Sequence, residues 1–162
     1  MTTHSGDVEL RDVNDDDVPM IFEWMRDPVS VRMAAFTTEN PDDRERFDRW
    51  FAGIRARPDV ILKAITLSGT LVGTISTFPI EGDREVTYWL DRAVWGRGIA
   101  GRALEEMLRL DTTRPLAGRA ASANVASVKV LLRAGFTETG RDVGFAAGMQ
   151  AEIEETILRL DA

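Results

Sequence analysis

Apolar and polar positions along this chain change their period twice, dividing it into a helical opening, a strand-rich middle and a mixed end. Val8 to Val13 (VELRDV) alternates with period two, as a half-buried strand does. The acidic run Asn14 to Asp17 then supplies an N-cap and negative charge suited to a helix start. Val18, Ile21, Phe22 and Met25 recur at helical spacing until Asp27-Pro28 stops them. A second helix is predicted to open with Pro41 near its first turn. It places Phe47, Trp50, Phe51 and Ile54 on one core-facing stripe and ends before Pro58.

From Val60 the period falls to that of strands. VILKAITL (Val60 to Leu67) and TLVGTISTF (Thr70 to Phe78) are rich in β-branched residues, and Ser68-Gly69 between them reads as a hairpin turn. REVTYWL (Arg84 to Leu90) is a third strand after Glu81-Gly82-Asp83. A helix follows with Ile99, Ala103, Leu104, Met107 and Leu108 on its buried face. PLAGRAAS (Pro115 to Ser122) is a further strand, and Asn124 to Phe136 a capped helix that Gly135 ends. Two last strands lie near Phe136 to Phe145 and Glu152 to Leu160. The expected fold class is α/β: a mixed, mostly antiparallel central sheet flanked by helices, in one domain over residues 1–162.

One helix start is written against its own propensity. In VWGRGIAGRALEEML, Gly96, Gly98 and Gly101 surround the first turn of an amphipathic helix that each glycine weakens. A helix N-terminus carries about four unpaired backbone N–H groups and roughly half a positive charge, so it suits phosphate, and glycine lets the phosphate approach. A tight strand-to-helix turn without ligand explains the same residues. The nucleotide P-loop order G-x-x-x-x-G-K-[ST] is absent, and the preceding strand comes too late for a dinucleotide-binding unit. Downstream, Asn124 and Ser127 stand three residues apart and are neighbours on one helical turn, either as a converging polar pair or as a cap with an incidental serine.

Composition removes several chemistries. The chain of 162 residues has no Cys, which excludes disulfides and thiol nucleophiles, and its one His, His4, lies in a polar opening remote from any motif. A net charge of −7 argues against nucleic-acid binding and favours approach of a cationic amine. No apolar run is long enough to span a membrane and no signal sequence is visible, so a cytoplasmic location is expected.

YWLDRAVWGRGIAGRAL followed by ANVASVKVLLRAGF resembles the GNAT superfamily of acetyl-CoA-dependent N-acetyltransferases. The branch it is most similar to is that of the ribosomal-protein N-terminal-alanine acetyltransferases, and LRDVNDDDVPMIFEWMRDP extends the likeness over nearly the whole chain. The family's pyrophosphate loop, Q/R-x-x-G-x-G/A, corresponds to Trp95-Gly96-Arg97-Gly98-Ile99-Ala100, with Gly101 next and Trp in place of Gln or Arg. The resemblance implies acetyl-CoA as co-substrate, with Trp89 and Leu90 pairing through their backbone with the pantetheine arm. It implies Asn124 fixing that arm and Ser127 beside the sulfur, with Arg97, Arg102, Lys129 and Arg133 as candidates for the adenosine phosphates. At the position of the family's usual proton-donating Tyr stands Leu131, which makes Ser127 the substitute donor.

Transfer to an amine also needs a base, and Glu85 is the candidate. It shares a strand face with Thr87 and Trp89, while an exposed strand carboxylate is the competing description. A backbone N–H near Leu90 is the expected oxyanion donor. Acceptor choice is expected from Trp24, Arg32, Met33, Phe36 and Trp50, with the glycine-rich hairpin Val143 to Gln150 as a mobile wall. The acceptor is a protein N-terminus or a small amine, and the terminal strands offer edges for a homodimer. A non-catalytic acyl-CoA-binding regulatory module is the alternative.

Overall fold

The computed structural model describes residues 6–162, so His4 lies outside the described residues. Seven strands form one sheet: β1 (Val8–Asp12), β2 (Ile61–Leu67), β3 (Thr70–Ile80), β4 (Asp83–Leu90), β5 (Leu116–Ala121), β6 (Thr137–Ala146) and β7 (Ala151–Leu160). Their order is β1-β2-β3-β4-β5-β7-β6. Every pairing is antiparallel except β4 with β5, which is parallel and limited to Glu85↔Ala117 and Val86↔Gly118. The expected mixed, mostly antiparallel sheet is therefore the observed one. The β2–β3 and β3–β4 hairpin turns each have two successive positive φ values, 50° and 85° at Ser68-Gly69 and 48° and 85° at Glu81-Gly82. That conformation matches the twist of the strands it joins.

Five α-helices cover the sheet: α1 (Val18–Arg26), α2 (Pro28–Ala34), α3 (Arg44–Ala56), α4 (Ile99–Leu110) and α5 (Val125–Arg133). The acidic opening does more than complement a dipole. Asn14 accepts from Asp16 N at 3.0 Å, and Asp17 accepts from Asn14 N at 2.9 Å and from both Arg11 terminal nitrogens at 2.7 and 2.9 Å. Asp27-Pro28 ends α1 as expected, but a further helix starts at once. Asp27 accepts from Ser30 N at 3.1 Å as its N-cap, and Pro28 takes the first helical position, where its missing N–H costs nothing. Pro41 stands ahead of α3, not within it; Asp43 is the cap.

Two apolar layers result. On one sheet face Ile65, Ile75, Val86, Leu90, Leu116 and Leu158 pack with Ile99, Ala103, Leu104 and Met107 of α4 and Leu131 of α5. On the other, Ile21, Phe22 and Trp24 of α1 meet Phe47 and Phe51 of α3, over Leu62, Leu71 and Trp89. A buried network ties α4 to the sheet: Asp111 accepts from Thr77 Oγ1 at 2.6 Å, Arg84 Nε at 2.5 Å and Thr113 N at 3.0 Å. Of the terminal strands, β1 is an edge, whereas β7 is enclosed by β5 and β6, so only β1 and β6 are free to pair outward. No described helix is long and apolar enough to cross a membrane.

Candidate active site

β4 turns alternate side chains to the two layers: Val86, Tyr88 and Leu90 toward α4 and α5, Trp89 toward α1 and α3. Glu85 and Thr87 share the Trp89 face by strand alternation. Beyond Val86↔Gly118 the β4–β5 ladder stops, so the two strands part along Thr87–Leu90 and Arg119–Ala121. Gly73, paired with Leu90, keeps β3 close here, since a Cβ would strike the Trp89 carbonyl.

The glycine loop lies just past this parting. Gly96 and Gly98 have φ of 77° and 76°, a left-handed conformation that glycine adopts at little cost. Gly98 is the N-cap of α4 and provides no side-chain cap, so among the described residues no side chain pairs with the first amides of the helix. A Cβ at Gly96, Gly98 or Gly101 would meet nothing within 4 Å. These glycines therefore keep space open in front of backbone donors and relieve no internal clash. Ile99 and Ala100 are 1% and 9% exposed, so they can offer a ligand only their backbone. Trp95, at the position where the resembling family has Gln or Arg, donates from its indole to the Leu90 carbonyl at 3.3 Å and ties the loop to the end of β4. The loop fits a diphosphate.

Among the candidate phosphate ligands, Arg97, Lys129 and Arg133 are exposed, while Arg102 donates to the Gly6 carbonyl at 2.7 Å. On α5, Asn124 is the cap, accepting from Ser127 N at 3.3 Å, and its amide also donates to the Met33 carbonyl at 3.4 Å. Ser127 Oγ lies 2.8 Å from the Tyr88 hydroxyl. Burial pushes the Tyr88 phenol up from its ordinary pKa, with the Ser127 hydrogen bond working against it. Leu131, at the usual tyrosine position, is buried against Gly118, where a Cβ would stand 2.9 Å from its Cδ2.

Glu85 is no freely exposed strand carboxylate. Its side chain is 13% exposed, and Arg119 bridges it, at 3.1 Å, to Glu155, at 3.3 Å. Burial raises the Glu85 pKa; the Arg119 charge opposes that and the Glu155 charge adds to it. Tyr88 and Arg119 are the partners of Ser127 and Glu85 that the sequence did not reveal. The available signals were a sole tyrosine next to the expected pantetheine strand and an arginine amid small residues in LAGRAA.

On the Trp89 face, a cavity of about 590 Å³ opens between the sheet and the α2–α3 segment. Met25, Phe36, Phe47, Trp50, Phe51 and Trp89 supply much of its wall, with Thr74, Ser76 and Thr87 along the sheet. Charged lining is confined to Asp43, Arg46 and Arg57. Glu85 is outside this wall, although Phe78, its cross-strand partner, and Thr87 belong to it. Trp50 departs from the expected core: it is 49% exposed, lining the cavity from the solvent edge of the stripe that Phe47 and Phe51 bury. Trp24 is core and touches the site only through its carbonyl, which accepts from Trp89 Nε1 at 3.2 Å. Arg32 and Met33 are exposed and outside the wall, and Phe36 lies within it. The 143–150 hairpin is docked: Gly148 N donates to the Ala35 carbonyl at 2.8 Å, and a Cβ at Gly148 would hit the α2 backbone.

Solved structures of known proteins share this fold. The solved structure of ribosomal-protein-alanine N-acetyltransferase from Brucella melitensis superposes with a TM-score of 0.78 at 21% identity, covering 95% of this chain and 99% of its own. RimL, a ribosomal L7/L12 α-N-protein acetyltransferase in complex with coenzyme A, gives 0.74 at 20% identity, covering 93% and 92%. The microcin C7 self-immunity acetyltransferase MccE, in complex with acetyl-CoA and AMP, gives 0.79 at 14%, covering 99% and 98%. No curated protein matches the sequence. The family model of the acetyltransferase (GNAT) domain matches residues 7–137, and with the fold and the glycine loop this places the chain in the GNAT acetyltransferase family, whose acetyl donor is acetyl-CoA.

Proposed function

We propose that the protein transfers the acetyl group of acetyl-CoA to a primary amine by direct attack, with no covalent enzyme intermediate. The observation that carries this reading is the alignment of three features along β4. An uncapped, glycine-lined helix start lies beyond its end, a parted β4–β5 edge flanks it, and a cavity backs it on the opposite face. Bound acetyl-CoA supplies the thioester; the remaining tasks fall to this chain. The amides of Gly98 to Gly101 hold the diphosphate, and the edge of β4 at Trp89 and Leu90 orients the pantetheine arm. Asn124 holds the first turn of α5 in place beside it.

Glu85 takes the amine proton through water, since its carboxylate stands just outside the cavity wall. A backbone N–H near Leu90 faces the developing oxyanion, and Ser127 donates toward the sulfur. The missing family tyrosine would favour a non-catalytic acyl-CoA-binding module, but the hydroxyl pair of Tyr88 and Ser127 argues for turnover.

The cavity narrows the acceptor. A volume of this size suits a compact ligand or the first residues of a peptide. Its wall is aromatic and carries two arginines against one aspartate, in a protein whose net charge is −7. Polyamines and aminoglycosides gain nothing from such a wall, so the acceptor is a monoamine with an apolar body, either a protein N-terminus or a small amine. The test is coenzyme A release across a panel of N-terminal peptides, apolar monoamines and polyamines. Release with a monoamine or peptide supports the reading. Acetyl-CoA protection against heat with no release from any amine would leave only the binding module.

A further inference from the structure

We infer that Tyr88 is the proton source behind Ser127: its phenol donates to Ser127 Oγ, so the Ser127 proton is left to point into the parting between β4 and β5, where the departing sulfur sits. The inference rests on the acetyl-donor placement proposed above.

Four observations lead to it. The two oxygens are 2.8 Å apart, and the Asn124 cap on the Ser127 amide fixes the turn that carries the serine. A phenol, with a pKa of about 10, is a far stronger acid than an aliphatic hydroxyl, so the O–H of Tyr88 points toward Ser127 and not the reverse. The pair lies where the β4–β5 ladder has just ended, and Thr87 and Trp89 on either side of Tyr88 belong to the acceptor cavity. Finally, Leu131 is buried and has no proton to give, so the phenol reaches the same helix from the facing strand.

The step balances. The carbon–sulfur bond breaks and its electron pair goes to sulfur, which takes the Ser127 proton as Ser127 Oγ takes that of Tyr88. Solvent returns a proton to Tyr88 once coenzyme A has left, and the proton shed by the amine exits on the Glu85 side. Tyr88 acts through Ser127 and is therefore a positioning residue. Tyr88 packs against the apolar α4–α5 layer and also lines the cavity, and Ser127 is its hydrogen-bond partner.

Tyr88 is the chain's only tyrosine, so the ultraviolet absorption of tyrosinate titrates this group alone, independently of any acceptor. Adding coenzyme A should move that titration upward by about one pH unit or more, because a thiolate beside the phenol opposes a second negative charge. Desulfo-coenzyme A, which binds through the same diphosphate, should not move it. An equal response to both ligands, or none to either despite heat protection, overturns the inference whether or not an acceptor is found. A failure of heat protection itself overturns the donor placement and the inference with it.

Kinetically, Tyr88→Phe and Ser127→Ala should each lower kcat by about 10- to 100-fold with little change in KM, and the double variant should be no slower than the slower single one. Full kcat in Tyr88→Phe, or multiplying losses, would reduce Tyr88 to a core side chain.

Discussion

Gly98 and Gly101 flank one helical turn, yet replacing each with alanine should move the stability of the free protein in opposite directions. Gly101 is the third residue of α4, has no positive φ, and a Cβ there meets nothing within 4 Å. Gly101→Ala therefore gains helix propensity without a clash, up to about 0.5–1 kcal/mol. Gly98 sits at φ 76°, where alanine costs about 1–2 kcal/mol. For a protein of this size each kcal/mol moves Tm by about 2–4 °C, so Gly101→Ala should melt slightly above the parent and Gly98→Ala several degrees below it. Both methyls, however, enter the open space before the α4 amides. Losing one charge-assisted hydrogen bond to the diphosphate costs about 1.5–3 kcal/mol, or roughly 10- to 150-fold in affinity. Calorimetric melting at a series of acetyl-CoA concentrations separates the two effects, because ligand protection grows as RT ln(1 + [L]/Kd); a tenfold weaker Kd removes about 1.4 kcal/mol of it. Unchanged protection in Gly98→Ala would refute the placement of the diphosphate. A destabilised Gly101→Ala would refute the claim that this glycine serves the ligand and not the fold.

The remaining predictions concern the carboxylates and the cavity. Glu85→Gln should lower kcat about 100-fold and leave acetyl-CoA protection intact. Because burial raises the Glu85 pKa and the base works ionised, the parent's acid limb in kcat/KM should fall above the ordinary glutamate range of about 4.3 and vanish in the variant; an unchanged limb removes Glu85 as base. Asp111→Asn breaks the bond network with Arg84 and Thr77 and should cost about 3 kcal/mol in urea unfolding. Hydrogen bonds hold the Asp111 pKa well below the ordinary range despite burial, so its contribution is complete above about pH 4 and is lost as pH falls toward the depressed value; the variant should lose that part of the acid slope. Trp50→Ala should raise the acceptor KM up to about tenfold with little change in Tm, as half of the ring is already exposed; a drop in Tm with unchanged KM would make Trp50 a packing residue.

Elements were legible from β-branched content between turn residues, as in ILKAITL, or from an unbroken helical period, as in the Ile99, Ala103, Leu104, Met107 stripe. α2 was hidden because Asp27-Pro28, which stops one helix, also starts another. Trp50 was misplaced because the stripe it shares with Phe47 and Phe51 is wider than the surface that buries it. The loop glycines could be read because backbone conformation is a local demand. The bond between Tyr88 and Ser127 could not, since it joins residues 39 positions apart through a parallel crossover whose register no local pattern encodes. The face that Glu85 occupies could be read from strand alternation, but its surroundings depend on Arg119 and Glu155 from two other strands.

The sheet is in effect two antiparallel leaves, of four strands and three, sewn together by a single short seam at Glu85–Val86 and Ala117–Gly118. Where the stitching stops, the facing edges of Thr87 to Trp89 and Arg119 to Ala121 carry no rungs to each other. An extended amide-bearing guest laid along that gap would break no β4–β5 backbone bond on entering and could pair with both edges. On the acetyl-donor placement proposed above, the visitor would lie along these open edges for one turnover as an extra strand.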